Sequence, residues 1–420
     1  RLIKDYLKRT SETGLSLDSE KKKITGIFKD IILKAEKIDR SLKAAVEAEL
    51  KKQSKGLTTI EGKLLKAEKV KKEINVSQIR KIKEKLFPGD VLQERYNNFI
   101  PYFLSEHKNI SIINLDKLTY AGELSNLIEI ENSERYTFIK GDICDRTLIE
   151  SLFNKYEFKG VIHFAAESHV DNSIANPDEF IKTNIFGTFN LLDVAKNHWM
   201  NKLFQFKEDF IKARFLHVST DEVYGSLGKT GLFSETTANA PNSPYSASKA
   251  SSDFLVRSYF HTYGMPVITT NCSNNYGPKQ HDEKLIPTII RKALSGEKIP
   301  IYGDGKNIRD WLYVLDHCKG IDLAFQKGKF GETYNIGGKN ERNNLEIADT
   351  ICRILDQEIP KKNKSSYKEL ITFVKDRPGH DFRYAIDASK IASELNWKAE
   401  ENFETGIKKT VNWYLNKFKK

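Results

Sequence analysis

From residue 110 onward, apolar runs of strand length alternate with helical stretches, and this recurrence constrains the fold more than any other feature of the chain. The runs are ISIINLD (110–116), YTFIKGD (136–142), GVIHFAA (160–166), ARFLHVST (213–220) and PVITTNCS (266–273). Near-continuous apolar strands suit a parallel sheet, because helices cover both of its faces. The pattern predicts a doubly wound, Rossmann-like α/β fold. After about residue 280, short strands, helices and more Pro and Gly predict a smaller C-terminal lobe.

The amino-terminal part has a different texture. Residues 1–90 carry 24 Lys+Arg against 14 Asp+Glu, whereas residues 91–420 carry 44 against 43. The net charge of +11 and the pI near 9.1 therefore describe a basic segment on a nearly neutral protein. Residues 18 to about 87 contain no proline. Ile24, Ile31, Ile38 and Ala45 fall seven apart beside a second row of Phe28, Ala35 and Leu42. That spacing predicts a coiled coil or helical hairpin, with Lys runs on its solvated face. Leu64, Ala67, Val70, Ile74, Ile79, Ile82 and Leu86 continue a helical pattern until Phe87-Pro88-Gly89-Asp90 stops it. A nucleic-acid arm would carry more compact charge with aromatics or Gly, so none is expected.

Hydrophobic residues make up 39% of the chain, which allows a large core. No run reaches the ~18–20 apolar residues of a membrane span, and no apolar stretch follows the basic start, so neither a membrane segment nor a secretory signal is expected. Arg1 in place of Met reads as a fragment or an incomplete reading frame. Cys144, Cys272, Cys318 and Cys352 form no CxxC pair. They read as reduced thiols of a cytoplasmic protein without a zinc site.

Four segments carry chemistry. Tyr245 and Lys249 are four apart, so on a helix they share a face. A Lys beside a phenol lowers its pKa, which makes Tyr245 a candidate base. By itself the pair also fits an ordinary helix surface. Ser219-Thr220-Asp221-Glu222 follows the strand ARFLHV, where open α/β sheets place their ligands. Adjacent carboxylates repel, so one can keep a proton as an acid while the other acts as base. A solvated acidic turn is the plain alternative. HFAAESHVD (163–171) ends a strand in small residues that admit a flat ligand. NCSNNYGP (271–278) is a polar turn after PVITT.

Taken together, these segments resemble the dTDP-glucose 4,6-dehydratase family of extended short-chain dehydrogenase/reductases. The likeness runs through DKLTYAG (116–122), GDICD (141–145), HFAAESHVDNSI (163–174), STDEVYG (219–225), SPYSASKASSD (243–253), TNCSNNYGP (270–278), EKLIP (283–287), PIYGDG (300–305), IRDWLYV (308–314), ETYNIGG (332–338) and DRPGHDFRYAID (376–387). It implies NAD+ as cofactor, dTDP-glucose as substrate and a homodimer. The implied reaction oxidises the sugar at C4, eliminates water across C5 and C6, and reduces C6. Tyr245 would be the base, Lys249 its support, Glu222 the base at C5, Asp221 the acid at the 6-hydroxyl, and Thr220 a partner of the 4-oxygen.

The resemblance also implies binding roles. Asp116, Lys117, Leu118, Thr119, Asp142 and Ile143 would hold the adenosine half of the cofactor. Ala165, Ala166, Ser168, Thr183 and Asn275 would line the rest, with Tyr245 and Lys249 at the nicotinamide. Ser168, Thr220, Asn274, Lys284, Leu285, Pro300, Tyr302, Arg309, Asn344, Asp376, Arg377 and His380 would hold the nucleotide sugar, with Arg309 suited to a pyrophosphate.

The likeness breaks before residue 108. Members of that family begin with a strand and a Gly-rich turn of the form TGGAGFIGS, whose backbone and helix terminus receive the pyrophosphate. The corresponding stretch here, Val91 to Phe99, has no glycine. Only the tail of the first helix, near Ile100 to His107, is expected to remain. Upstream, residues 47–103 resemble the C-terminal coiled coil of the bacillithiol-biosynthesis cysteine-adding enzyme, most specifically in LFPGDVLQERYNNFIPYF. The expected organisation is a helical coiled-coil segment over 1–100, a truncated NAD-binding Rossmann domain over 108–280, and a substrate-binding lobe over 281–420 interleaved with it. Related nucleotide-sugar epimerases and decarboxylases share YxxxK, and a catalytically impaired coiled-coil fusion is a reading of a different class. Asp221-Glu222 separates dehydration from epimerisation.

Overall fold

The computed structural model describes residues 93–119 and 123–418. The helical seam expected over 18–87 lies outside them. The described residues belong to one compact unit.

All five expected strands form. The first described element is a helix, α1 (Gln93–Glu106), followed by β1 (Ile112–Asp116), β2 (Tyr136–Lys140) and β3 (Gly160–His163). Then come β4 (Arg214–Thr220), the long helix α2 (Pro244–Tyr263), β5 (Val267–Cys272), α3 (Val314–Lys327) and β6 (Thr333–Ile336). β6 lies inside ETYNIGG and was not among the expected strands. Strands β6, β5, β4 and β3 pair in that order, all parallel.

The strand pleat sends successive residues to opposite faces. Phe215 and Val267 join a core with Leu192, Trp199 and Tyr259 on one face. Their neighbours Leu216 and Ile268 join a core with Ile321, Ala324 and Trp397 on the other. Both faces are therefore buried, which is why these strands read as unbroken apolar runs. A third core joins the strand group Asn274–Tyr276, Ile308–Tyr313 and Glu341–Asn343 to helices Leu285–Leu294, Asn344–Glu358 and Phe403–Phe418. This lobe is interleaved with the sheet, because α3 and β6 return to it.

The main sheet is split. β1 and β2 pair in parallel with each other, and β3 ends the four-stranded sheet. Among the described residues no strand lies between β1 and β3. A cavity of about 610 Å³ opens there instead, lined by Ile112 and Ile113 of β1 and by Val161 and Ile162 of β3.

α1 covers this region, and it begins well before the Ile100 expected from the resemblance. Phe99 and Phe103 sit in the core shared with Phe164 and Leu216. Pro101 cannot donate to the carbonyl four residues back. That carbonyl, Asn97 O, accepts instead from Lys279 Nζ at 3.3 Å. At the carboxyl end, Arg135 donates to Leu104 O at 3.0 Å and His107 O at 2.8 Å, placing a cation at the negative end of the helix. His107 pairs with Asp322 of α3 at 2.9 Å.

Candidate active site

The site forms where β4 ends. After Thr220 the chain turns through a short 3₁₀ helix, Asp221–Tyr224, and the Thr220 hydroxyl accepts from Glu222 N at 3.3 Å. Gly225 closes the turn at φ +90°, where a Cβ would lie 2.4 Å from Ala240 O. α2 starts beside it. Ser243 and Ser246 cap the helix reciprocally and Pro244 sits in the first turn, so the helix start is firmly placed. That start holds Tyr245 at 4% and Lys249 at 2% exposure.

Tyr245 packs with Val170 and Phe180, and Thr220 lies close enough to influence its phenol. Its pKa lies well above the ordinary value, opposite to what the neighbouring Lys249 predicts. Burial dominates, Glu222 adds to it, and Arg95 of α1 opposes it. Lys249 Nζ donates to Val218 O at 2.9 Å and lies 3.4 Å from His217 Nε2.

Asp221 is buried, and its pKa is pushed well above the carboxylate range by burial, then by the charges of Glu222 and Asp310. Glu222 is also raised by burial, but Arg377, Arg309 and Lys284 pull it down. The two carboxyls therefore differ: Asp221 favours its proton, and Glu222 faces three cations.

Those cations come from the expected substrate set. Lys284 and Leu285 stand at the start of the helix Leu285–Leu294. Arg309 is buried, donates to Ile308 O at 2.7 Å and Asp381 O at 3.0 Å, and lies over the Tyr384 ring at 4.3 Å. Arg377 is 3.7 Å from Asp171. Asp376 pairs with His380 at 2.6 Å, and the His380 ring stands edge-on to Tyr302. Pro300 and Tyr302 lie on the strand Ile299–Tyr302. Asn274 and Asn275 lie on the strand Asn274–Tyr276. Asn344 opens the helix Asn344–Glu358, its backbone N–H bonded to Asn307 O at 3.2 Å.

Most of the expected cofactor residues line the far end of the split-sheet cavity. Asp116, Lys117, Thr119, Asp142, Ile143, Ala165, Ala166 and Thr183 all border it. Leu118 is not part of that lining; at φ +48° it turns back so that its N–H reaches Asp116 Oδ1 at 2.6 Å. Lys117 pairs with Asp142 at 2.8 Å. Ser168 and Asn275 are buried and lie outside that lining. The residues at both ends suit a dinucleotide: a carboxylate at the end of β1 for ribose hydroxyls, and a buried phenol and ammonium at the other end. Between β1 and the Tyr–Lys helix the chain has no glycine turn but α1, whose Arg95, Asn97 and Asn98 are buried.

Four features were not foreseen. Tyr96 donates its hydroxyl to Asp116 Oδ2, so α1 engages the carboxylate expected to meet ribose. Arg95 influences both Asp221 and Tyr245. Asn184 accepts from Glu167 N at 2.7 Å and donates to Ser248 Oγ at 2.8 Å, tying the cavity wall to α2. Behind Lys249, His217 Nε2 lies 3.1 Å from Asp253 Oδ1, while Ser219 donates to Asp253 Oδ2 at 2.8 Å. Asp253 continues the spacing of Tyr245 and Lys249 by four, a signal that could have found it. Among the described residues no cluster of His, Cys, Asp and Glu could hold a metal ion.

Comparison with known proteins extends the picture. Residues 97–410 match the family model described as GDP-mannose 4,6 dehydratase. Residues 1–121 match that of the C-terminal coiled-coil domain of bacillithiol biosynthesis BshC, so 97–121 fall in both. A dTDP-glucose 4,6-dehydratase of Xanthomonas campestris is 54% identical over 308 residues, covering 73% of this chain and 87% of the relative. A dTDP-glucose 4,6-dehydratase from Bacillus anthracis, solved in complex with NAD, superposes with a TM-score of 0.67 at 44% identity, over 77% of this chain and 93% of that one. One from Streptomyces venezuelae with NAD bound gives 0.68 at 40% identity, over 76% and 93%. Shared sequence across most of each relative's length, on the same fold and through the carboxylate turn and the Tyr–Lys helix, is what common descent leaves behind: the chain belongs to the dTDP-glucose 4,6-dehydratase family.

Proposed function

We propose that this site converts dTDP-glucose to dTDP-4-keto-6-deoxyglucose and water, with the catalytic residues in the roles that follow. Bound NAD+ supplies the hydride acceptor at the sugar's C4 and returns the hydride at C6. Tyr245, as its phenolate, takes the 4-hydroxyl proton while the neighbouring Thr220 hydroxyl steadies the same oxygen. Lys249, fixed by Val218 O, provides the cation behind them. Once C4 is a ketone, the C5 proton is acidic. Glu222, surrounded by Arg377, Arg309 and Lys284, removes it. Asp221 gives its proton to the departing 6-hydroxyl, which leaves as water. The substrate lobe over 281–420, interleaved with the 108–280 part, brings Arg309, Arg377, His380 and Tyr302 to the nucleotide sugar. Asp116 and Asp142 hold the adenosine end of the cofactor.

The observation that carries this reading is the unequal environment of Asp221 and Glu222, which supplies an acid and a base one residue apart. The purified chain should release NAD+ on denaturation and form the 4-keto product, seen by its absorbance in alkali. Glu222→Gln should abolish dehydration while leaving hydride transfer from C4. An unchanged yield would contradict the role of Glu222, and a 4-epimer as product would move the chain to epimerase chemistry.

The active form is proposed to be a homodimer. Phe254 of α2 is 58% exposed and Phe186, ahead of the neighbouring helix Thr188–Trp199, is 48% exposed, an apolar face suited to a second copy. Light scattering should give twice the chain mass, and Phe254→Glu should halve it. Among the described residues no helix is long and apolar enough to cross a membrane.

A further inference from the structure

We infer that Asp253 is a positioning residue for the Tyr245–Lys249 pair: its carboxylate is the counter-charge that keeps the buried Lys249 a cation, acting across His217. The inference deepens the dehydratase reading and rests on it. Geometry carries the argument. Tyr245, Lys249 and Asp253 recur at four-residue intervals on α2, so phenol, ammonium and carboxyl share one face of the helix. β4 packs against α2 and supplies the link. His217 Nε2 lies 3.4 Å from Lys249 Nζ, 3.2 Å from Ser252 Oγ and 3.1 Å from Asp253 Oδ1. Among the described residues its Nδ1 meets no partner, so the ring's polar contacts converge on one nitrogen, between the ammonium and the carboxyl. Ser219 donates to the other carboxyl oxygen at 2.8 Å, one residue before Thr220.

Charge fixes the role. A buried cation is costly unless an opposite charge offsets the lost hydration. Burial, followed by nearby positive charge, holds His217 and His163 well below the ordinary histidine range, so the imidazoles are neutral and Lys249 is the cation of the network. Across a dry, neutral ring the field of a carboxylate reaches the ammonium with little screening. Two further titratable groups face the network. His163 of β3 has its ring 5.2 Å from that of His217 and its Nε2 2.9 Å from Thr188 Oγ1. Tyr224 of the catalytic turn is bonded to Asn271 and Asn335, and its phenol is raised chiefly by burial and also by the Asp253 charge. Burial raises Asp253 itself to about 7. The counter-charge is therefore present on the alkaline side, where Lys249 would otherwise shed its proton and cease to favour the Tyr245 phenolate.

The test compares the full chain, loaded with NAD+, with its Asp253→Asn variant, which keeps the side chain's shape and removes its charge. The kcat for the 4-keto product is followed from pH 6 to pH 9. The ratio of parent to variant should be about five-fold or more larger at pH 9 than at pH 6, because the alkaline limb of the variant moves down by about one unit. A ratio that stays the same at every pH is what a merely structural brace gives, and it overturns the inference. A second readout needs no turnover. Carbon-13 NMR of lysine-labelled protein follows the Lys249 side chain, its signal assigned by its absence from Lys249→Met. Lys249 should lose its charge about one unit lower in Asp253→Asn than in the parent. An unchanged Lys249 titration overturns the inference whatever the product assay gives. No product from the parent at any pH counts against the dehydratase reading instead, and the NMR shift then decides the role of Asp253.

Discussion

At the residue scale, the point of greatest leverage is Tyr96. Its hydroxyl bonds with the Asp116 carboxylate, the group that suits ribose hydroxyls, while its ring stays packed against Phe164. A ribose must compete with that hydroxyl. Tyr96→Phe keeps the ring and removes the competitor, so NAD+ should bind about five-fold more tightly, the worth of one ordinary hydrogen bond of about 1 kcal/mol. Titration calorimetry checks this, and weaker binding would argue against Asp116 as the ribose acceptor. Asp253 offers a second test. Burial raises its pKa to about 7, against the pull of Lys249 and the Ser219 hydrogen bond. An unfolded Asp titrates near 4. Between about pH 4 and 7 the folded chain keeps a proton that the unfolded chain has lost, so this residue's contribution to stability falls as pH rises through that window. Asp253→Asn removes the dependence. Urea midpoints of parent and variant should therefore diverge in the variant's favour from pH 5 to pH 8.

At the element scale, α1 does more than its sequence discloses. Its residues fall in a stretch resembling another enzyme's coiled coil, yet the helix packs on α3 and roofs the split sheet. Phe103 is 3% exposed and stacks with Phe99 at 5.0 Å. Phe103→Ala should cost about 3 kcal/mol of unfolding free energy, measured by denaturant titration. A loss below ~1 kcal/mol would mean that the helix is not anchored there. The five strands were legible, because double-sided burial writes itself into adjacent residues. β6 was not, since Thr333–Ile336 becomes a strand only by pairing with Thr269–Cys272, more than sixty residues away. Tyr96 and Arg95 were illegible for a similar reason: their neighbours depend on where α1 docks. The carboxylate pair was legible as chemistry, but the raised phenol of Tyr245 was not. Spacing shows that Lys249 is near; it does not show that burial outweighs a cation.

At the scale of the whole molecule, motif and charge located the same junction from two directions. The basic excess ends near residue 90, and α1, which packs into the sheet's core, starts at Gln93. The resemblance had placed the join at 100–108. Between them lies Gln93 to Ile100, which carries a coiled-coil sequence likeness yet packs with the sheet. The divided sheet has a thermodynamic consequence as well. A continuous sheet unfolds as one because every strand shares hydrogen bonds with the next. Among the described residues β1 and β2 share no ladder with β3–β6 and are coupled to them through helices and side chains. The protein should therefore melt in two cooperative steps, with a van't Hoff enthalpy below the calorimetric one and the β1–β2 hairpinless pair opening first.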